Sequence, residues 1–147
     1  MKNILVDMSA TLIHHGHIRI LRRASELGHV TVGLVEDWEI ARIKGFVPEL
    51  RFEHRREILL AIRYVDAVIP APWLIQDSFM DDHGFDYIVH GSDNSNSVSK
   101  DRVVQLPRTK GVSSTYIRER IKSSNPLSTV PNSGVAGKRF LEGKMDD

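Results

Sequence analysis

The sequence predicts an α/β protein: a Rossmann-like, open, mostly parallel sheet with helices on both faces. Three observations carry this expectation. The apolar run Ile4-Leu5-Val6 is followed by Ile20, Leu21, Ala24 and Leu27 at helical spacing, and then by a second apolar run from His29 to Val35. Two strands bracketing one helix within so short a stretch form a βαβ unit, which requires parallel pairing. The alternation continues as β-α-β-α-β-α-β-β-α to about residue 121, a pattern that buries a sheet between helical layers. Several polar or glycine-rich loops also follow strands, so they gather along one sheet edge, where such folds bind ligands.

Each element has its own local reason. Gly28 is a suitable terminator for the first helix. Glu36-Asp37-Trp38-Glu39 opens a short helix ending near Lys44-Gly45, and Phe46 to Phe52 is a proline-containing loop. Glu53 to Ile62 predicts a helix with Ile58, Leu59 and Ile62 inward, followed by a strand from Val65 to Ile69 that Pro70 and Pro72 stop. Trp73 to His83 predicts a helix ended by Gly84, and Tyr87-Ile88-Val89 a further strand. Arg102 to Leu106 is the last strand, and Val112 to Ile121 a helix with Ser113 or Ser114 near its N-cap. From Ser123 onward Ser, Asn, Pro and Gly dominate. The expected organisation is therefore one domain over 1–123 and a flexible tail or linker over 124–147.

Composition excludes several classes. A formal charge of +1 is too low for a generic nucleic-acid binder. Zero cysteines remove disulfide and thiolate chemistry. No run approaches the ~18 apolar residues of a membrane span. Lys2 precedes only a strand-length apolar run, unlike a secretory leader, so a cytoplasmic location is expected.

The chemistry concentrates at His14-His15-Gly16-His17, where the first strand hands over to the first helix. A helix start offers free backbone N–H groups and a partial positive charge. Imidazoles there can donate to a phosphate, and Gly16 lets that phosphate approach the backbone. A transition-metal site is the rival reading, without cysteines or an H-E-x-x-H helix to support it. His15, His29, His54 and His83 read as ordinary solvated side chains. Ser113-Ser114-Thr115 at a helix start is a phosphate cradle or plain N-capping. Arg108 and Lys110 before it could meet phosphates or simply face water. Arg55 and Arg63 could converge on a small anion or form surface ion pairs, and Asp66 reads first as a helix terminator.

His14-His15-Gly16-His17 resembles the H-x-G-H signature of the nucleotidyltransferase superfamily, in particular its cytidylyltransferases. Glu53-His54-Arg55 and Arg63-Tyr64-Val65-Asp66-Ala67-Val68 resemble that family's E-x-R and R-Y-V-D-E-V segments. Ala71-Pro72-Trp73 is similar to a stretch in its choline- and ethanolamine-phosphate members, and His90-Gly91-Ser92-Asp93 to its H-G-D-D. Arg108-Thr109-Lys110-Gly111-Val112-Ser113-Ser114-Thr115 resembles its second signature, R-T-E-G-I-S-T-T. Two segments depart: Met8-Ser9-Ala10-Thr11 stands where G-T-F-D is usual, and Lys110 where glutamate is usual. The Met-Ser-Ala version resembles cytidylyltransferase domains of phosphonate biosynthesis, whereas 53–69 and 107–121 look more like glycerol-3-phosphate cytidylyltransferases.

The resemblance implies transfer of CMP from CTP to a small phosphorylated alcohol, glycerol-3-phosphate first, with release of pyrophosphate. A phosphonate acceptor (2-hydroxyethylphosphonate or phosphonoformate), an adenylyltransferase, and a non-catalytic nucleotide-binding domain are the alternatives. It implies His14, His17 and Lys44 as catalytic groups. Ser9, Gly16, Asp93, Arg108, Thr109, Ser113, Ser114 and Thr115 would bind the nucleotide. Arg55 and Arg63 would take the acceptor's anionic group, with Asp66 orienting Arg63. Mg²⁺ would arrive with CTP rather than in a protein cage. A homodimer is the family's habit, with neither nucleic acid nor membrane as partner.

Overall fold

The computed structural model describes residues 1–91 and 95–123. Five strands, β1 (Lys2–Met8), β2 (Gly28–Leu34), β3 (Ala67–Pro70), β4 (Tyr87–Gly91) and β5 (Val103–Leu106), form one sheet in the order β3-β2-β1-β4-β5. All four pairings are parallel. The intervening helices are α1 (His15–Ser25), α2 (Asp37–Lys44), α3 (Phe52–Leu60) and α4 (Asp77–His83), with a 3₁₀ turn at Lys100–Arg102. The expected class is the observed one. Compact units divide the chain at Met1–Ser114 and Thr115–Asp147. The helix α5 (Ser114–Ser123) supplies, from Thr115 on, the described part of the second unit. The tail expected over 124–147 lies outside the described residues, none of whose helices is long and apolar enough to cross a membrane.

Strand periodicity divides the core. Ile4 and Val6 face one side with Val30, Val32, Leu34, Leu21 and Ala24 of α1, and Leu59 of α3. Leu5 faces the other with Ile88, Ala71, Ile75, Phe85, and Met80 of α4. Each side is closed by helices, so the strands read as continuous apolar runs rather than alternating ones. Chain order reverses between β1 and β4, whose neighbours lie on opposite flanks. The carboxyl ends of these two strands therefore splay their following loops apart and leave a crevice. The strands in question end at Met8 and at Gly91.

Several elements differ from expectation: Gly28 opens β2 rather than ending α1, whose C-cap is Glu26, and β3 runs from Ala67 through Pro70 instead of stopping before it. The helix expected from Trp73 begins only at Asp77. Its first residues are drawn out of helical hydrogen bonding: Trp73 N–H donates to Glu39 Oε1 (3.0 Å) and Ile75 N–H to Asn96 Oδ1 (2.8 Å). The last helix starts at Ser114 rather than Val112. On α3, Ile58 is 40% exposed and the inward residues are Arg55 and Leu59, while Ile62 packs on the core beyond the end of the helix.

That buried arginine governs the loop after β1. Arg55 is fully buried. Its Nε donates to Leu50 O (2.9 Å), one terminal nitrogen donates to Ser9 O (2.6 Å) and Val35 O (2.9 Å), and the other pairs with Asp37. Asp37 Oδ2 in turn accepts the Phe52 N–H at the start of α3. The guanidinium thus satisfies three carbonyls and a carboxylate in the interior, a set that lysine cannot match. One of those carbonyls precedes Ala10, which is buried at φ 45°. An L-residue in that left-handed region costs about 1–2 kcal/mol, and Arg55 is one of the contacts that hold it there. Arg55 was expected to bind the acceptor. Burial and these internal bonds give it a structural task instead.

Arg55→Ala leaves Ser9, Val35 and Leu50 carbonyls and the Asp37 carboxylate without their donor. The expected loss is about 3–5 kcal/mol of unfolding free energy, the usual penalty for orphaning a buried ionic partner. Urea unfolding measures it. An acceptor-binding arginine would instead raise the acceptor KM and leave the urea midpoint in place.

Candidate active site

The first turn of α1 is built by its own histidines. His14 is the N-cap residue, in extended backbone conformation. Its Nδ1 accepts the Gly16 N–H at 3.0 Å, and the His14 N–H donates to His17 Nδ1 at 3.1 Å. This is a reciprocal cap in which two imidazoles take the places usually held by Ser and Glu. The ring centroids lie 4.0 Å apart. The spacing of the motif follows directly: N-cap and third helical position are three residues apart.

Gly16 has a steric reason as well. A Cβ there would stand 2.8 Å from His14 Cε1 and 2.9 Å from its Nδ1. The ring lies across the position that any side chain would occupy.

Capping also settles the protonation state. Each Nδ1 accepts a backbone N–H, so it carries no proton, and each neutral ring holds its proton on Nε2. Burial, then the neighbouring His14, lowers the His17 pKa from 6.5 to about 4. Burial, then His15 and Arg108, lowers that of His14. At neutral pH the helix start therefore presents two uncharged Nε2–H donors. They add to the partial positive charge of the helix end without requiring a counter-ion.

The second signature closes on the first. The Arg108 charge acts on His14. Thr109 Cβ lies 3.5 Å from where a Gly16 Cβ would be. Ser114 Oγ donates to Leu12 O at 2.8 Å and accepts the Leu12 N–H at 3.2 Å. Six of the expected residues, His14, Gly16, His17, Arg108, Thr109 and Ser114, thus converge at the carboxyl end of β1. Ser9 belongs to the same loop through its backbone, and Ser113 is half-buried beside Ser114. Thr115 opens the second unit and is exposed. Asp93 lies outside the described residues.

Lys44 ends α2, which follows the carboxyl end of β2, and its Nζ stands 5.4 Å from the centre of the Trp73 ring. Arg63 and Asp66 are elsewhere. Asp66 Oδ2 accepts the Val30 N–H (2.8 Å) and lies 4.0 Å from His29 Nε2, while the Asp66 N–H donates to Val30 O (2.9 Å). That stitch ties β3 to the amino end of β2. At about 3.3 Å per strand residue, Val30 is roughly 16 Å from Val35 at the carboxyl edge. Asp66 thus serves the structural role that was its first reading. Its carboxylate holds Val30 rather than Arg63, and neither residue reaches the histidine pair of its own chain.

One cluster escaped the sequence reading. Asp7, nearly buried, accepts from Asn96 Nδ2 at 2.9 Å and faces His90 Nε2 at 3.5 Å, bridging the carboxyl ends of β1 and β4. The available signal was a carboxylate ending the apolar run Ile4-Leu5-Val6.

No group of three or more His, Cys, Asp or Glu able to hold a metal occurs among the described residues. The donors at the helix start are imidazoles with Nδ1 already engaged, a poor set for Mg²⁺, which prefers oxygen.

Gly16→Ala displaces the His14 ring. Turnover is expected to fall ~10- to 100-fold, the scale of a small misplacement, while the melting temperature holds within a few degrees because alanine's helix preference offsets the disturbed cap. Steady-state kinetics beside a thermal melt checks both. His17 also makes stability pH-dependent. Its folded pKa lies below its ordinary value, so the unfolded chain binds the proton first. The stabilisation is complete above pH 6.5 and is lost as the pH falls towards 4. The amount is on the order of 3 kcal/mol. Urea midpoints across that range should fall with acid, and His17→Gln should flatten the slope.

The sequence profile of the family described as cytidylyltransferase-like matches residues 9–120. The chain is 39% identical over 126 residues to glycerol-3-phosphate cytidylyltransferase of Bacillus subtilis (strain 168), covering 82% of this chain and 98% of that one. It is 33% identical over 126 residues to the protein of the same name from Staphylococcus aureus (strain NCTC 8325 / PS 47), covering 82% and 96%. It is 36% identical to ethanolamine-phosphate cytidylyltransferase of Arabidopsis thaliana, covering 80% of this chain but only 32% of that longer protein. A solved structure of the lipopolysaccharide core biosynthesis protein from Thermoplasma volcanium GSS1 shares the fold, with a TM-score of 0.62 at 19% identity over 74% of this chain and 98% of that one. The chain belongs to the cytidylyltransferase-like family of nucleotidyltransferases.

Proposed function

We propose that this protein transfers CMP from Mg²⁺-bound CTP to glycerol-3-phosphate, forming a CDP-alcohol and pyrophosphate. The observation that carries the reading is the reciprocally capped histidine pair, with two neutral Nε2–H donors at a helix start beside the crevice between β1 and β4. An acceptor phosphate oxygen attacks the α-phosphorus of CTP in line, and the bond to the β-phosphate oxygen breaks. No enzyme nucleophile is needed, so positioning and charge stabilisation carry the rate. His14 and His17 donate to the phosphate oxygens on which charge builds. Arg108 and Lys44 supply positive charge, Thr109 and Ser113 hydrogen-bond the phosphates, and Asp93 meets the cytidine. Mg²⁺ enters as part of the nucleotide substrate. We further propose a homodimer in the cytoplasm, the assembly measurable by light scattering.

A second acceptor class has one observation in its favour. Asp7 places a carboxylate at the carboxyl end of β1, and the Trp73 ring already faces an ammonium, that of Lys44. A carboxylate and an aromatic face are the chemistry that holds an amino-alcohol phosphate.

Pyrophosphate release from CTP with Mg²⁺ tests the reading against glycerol-3-phosphate, phosphoethanolamine, phosphocholine, 2-hydroxyethylphosphonate and phosphonoformate. Release with glycerol-3-phosphate and CTP, and none with ATP, is expected. His14→Ala should then lower kcat ~10²–10³-fold and, by removing the N-cap, cost about 0.5–2 kcal/mol of stability, with the chain still folded at the assay temperature. Silence with every acceptor while CTP still binds would favour a non-catalytic domain.

A further inference from the structure

Ser114 stands in the segment expected to cradle the triphosphate, yet its hydroxyl is occupied by the chain's own backbone. It donates to Leu12 O at 2.8 Å and accepts the Leu12 N–H at 3.2 Å, joining residues 102 positions apart. We propose that Ser114 is a positioning residue, a clasp that fixes Leu12 to His14 and so aims the His14 Nε2–H, and that it is not a ligand of the nucleotide. The proposal rests on the cytidylyl-transfer reading for its catalytic consequence, though the clasp itself does not.

The argument is geometric. A hydroxyl has one hydrogen to donate, and here that hydrogen is committed to a carbonyl. One oxygen that meets both polar groups of Leu12 fixes the two peptide planes on either side of it. Leu12 is two residues before His14, and Ile13 between them packs against the core. Upstream, Ser9 O is held by Arg55. The loop after β1 is therefore pinned near both ends, and Ser114 supplies the pin nearer the histidine. The same segment returns to His14 from its other side, where Thr109 approaches Gly16. Residues 109 to 114 thus bracket His14, touching the chain two residues before it and two after. Without the clasp, the His14 ring keeps its bond to Gly16 N–H but loses the fixed approach of its backbone.

Ser114→Ala and Ser114→Thr test this. Amide hydrogen exchange on the protein alone should show Leu12 protected in the wild type, exposed in the alanine variant and protected again in the threonine variant. With the acceptor that the wild type uses, the alanine variant should lose ~10- to 100-fold in kcat while its KM for CTP stays within about twofold of wild type, and threonine should restore turnover. A rise in the KM for CTP at unchanged kcat would make Ser114 a nucleotide ligand and overturn the proposal. So would unchanged Leu12 exchange, or a fall in melting temperature with kcat intact below it. A wild type silent with every acceptor defeats the functional reading, and the Leu12 exchange still decides the clasp.

Discussion

The site depends on one interaction: two imidazoles that cap the helix they are supposed to serve. Most helix starts separate these tasks, with a small polar side chain satisfying the free N–H groups and the remaining donors facing a ligand. Here His14 and His17 satisfy backbone donors with Nδ1 and keep their protons on Nε2. The capping nitrogen and the protonated one are opposite ends of the same rings. Changing either histidine therefore alters helix-start geometry as well as chemistry, and the glycine between them is required by the plane of a ring.

Everything around that turn serves to hold it still. The parallel sheet sets the start of α1 at the carboxyl edge, and the reversal of strand order beside β1 leaves the crevice. The loop from β1 to α1 is short and passes through a left-handed alanine. Such a conformation persists only when its surroundings over-determine it. Arg55 does so from the α3 side at Ser9, and Ser114 from the second signature at Leu12. Neither side chain needs to touch a substrate for the site to depend on it.

This division explains what the sequence made legible and what it did not. Apolar runs and helical spacing identified the sheet, the βαβ start and the histidine turn, because burial and capping leave periodic, local signals. The roles of arginines were not legible in that way. Arg55 lies four residues before Leu59 on the inward stripe of α3, a position where hydropathy suggests Ile58. A buried guanidinium leaves the same letter in the sequence as a solvated one. Arg63 and Asp66 flank the entrance to a strand, and their distance from the histidines depends on which sheet edge that entrance occupies. The second signature appeared as hydroxyls near a helix start, but only the fold shows that Ser114 faces Leu12. The trimmed start of α4 depends on Glu39 and Asn96, both distant in sequence.

The departure at Thr11 fits the same logic. Thr11 is fully buried, three residues before His14. A carboxylate in that position would carry a desolvation cost unless paired. By its charge it would also favour protonation of nearby imidazoles. A protonated His14 or His17 would present an N–H on Nδ1 to the backbone N–H it now accepts, and the cap would open. With threonine in its place, burial and the neighbouring imidazoles, joined by Arg108 at His14, keep the rings neutral. The positive charge that a polyphosphate requires must then come from outside the capped turn. Arg108, whose charge acts on His14, stands beside it on the segment that leads to α5. Neutral donors at the helix start and a cation beside it are thus two consequences of the one cap.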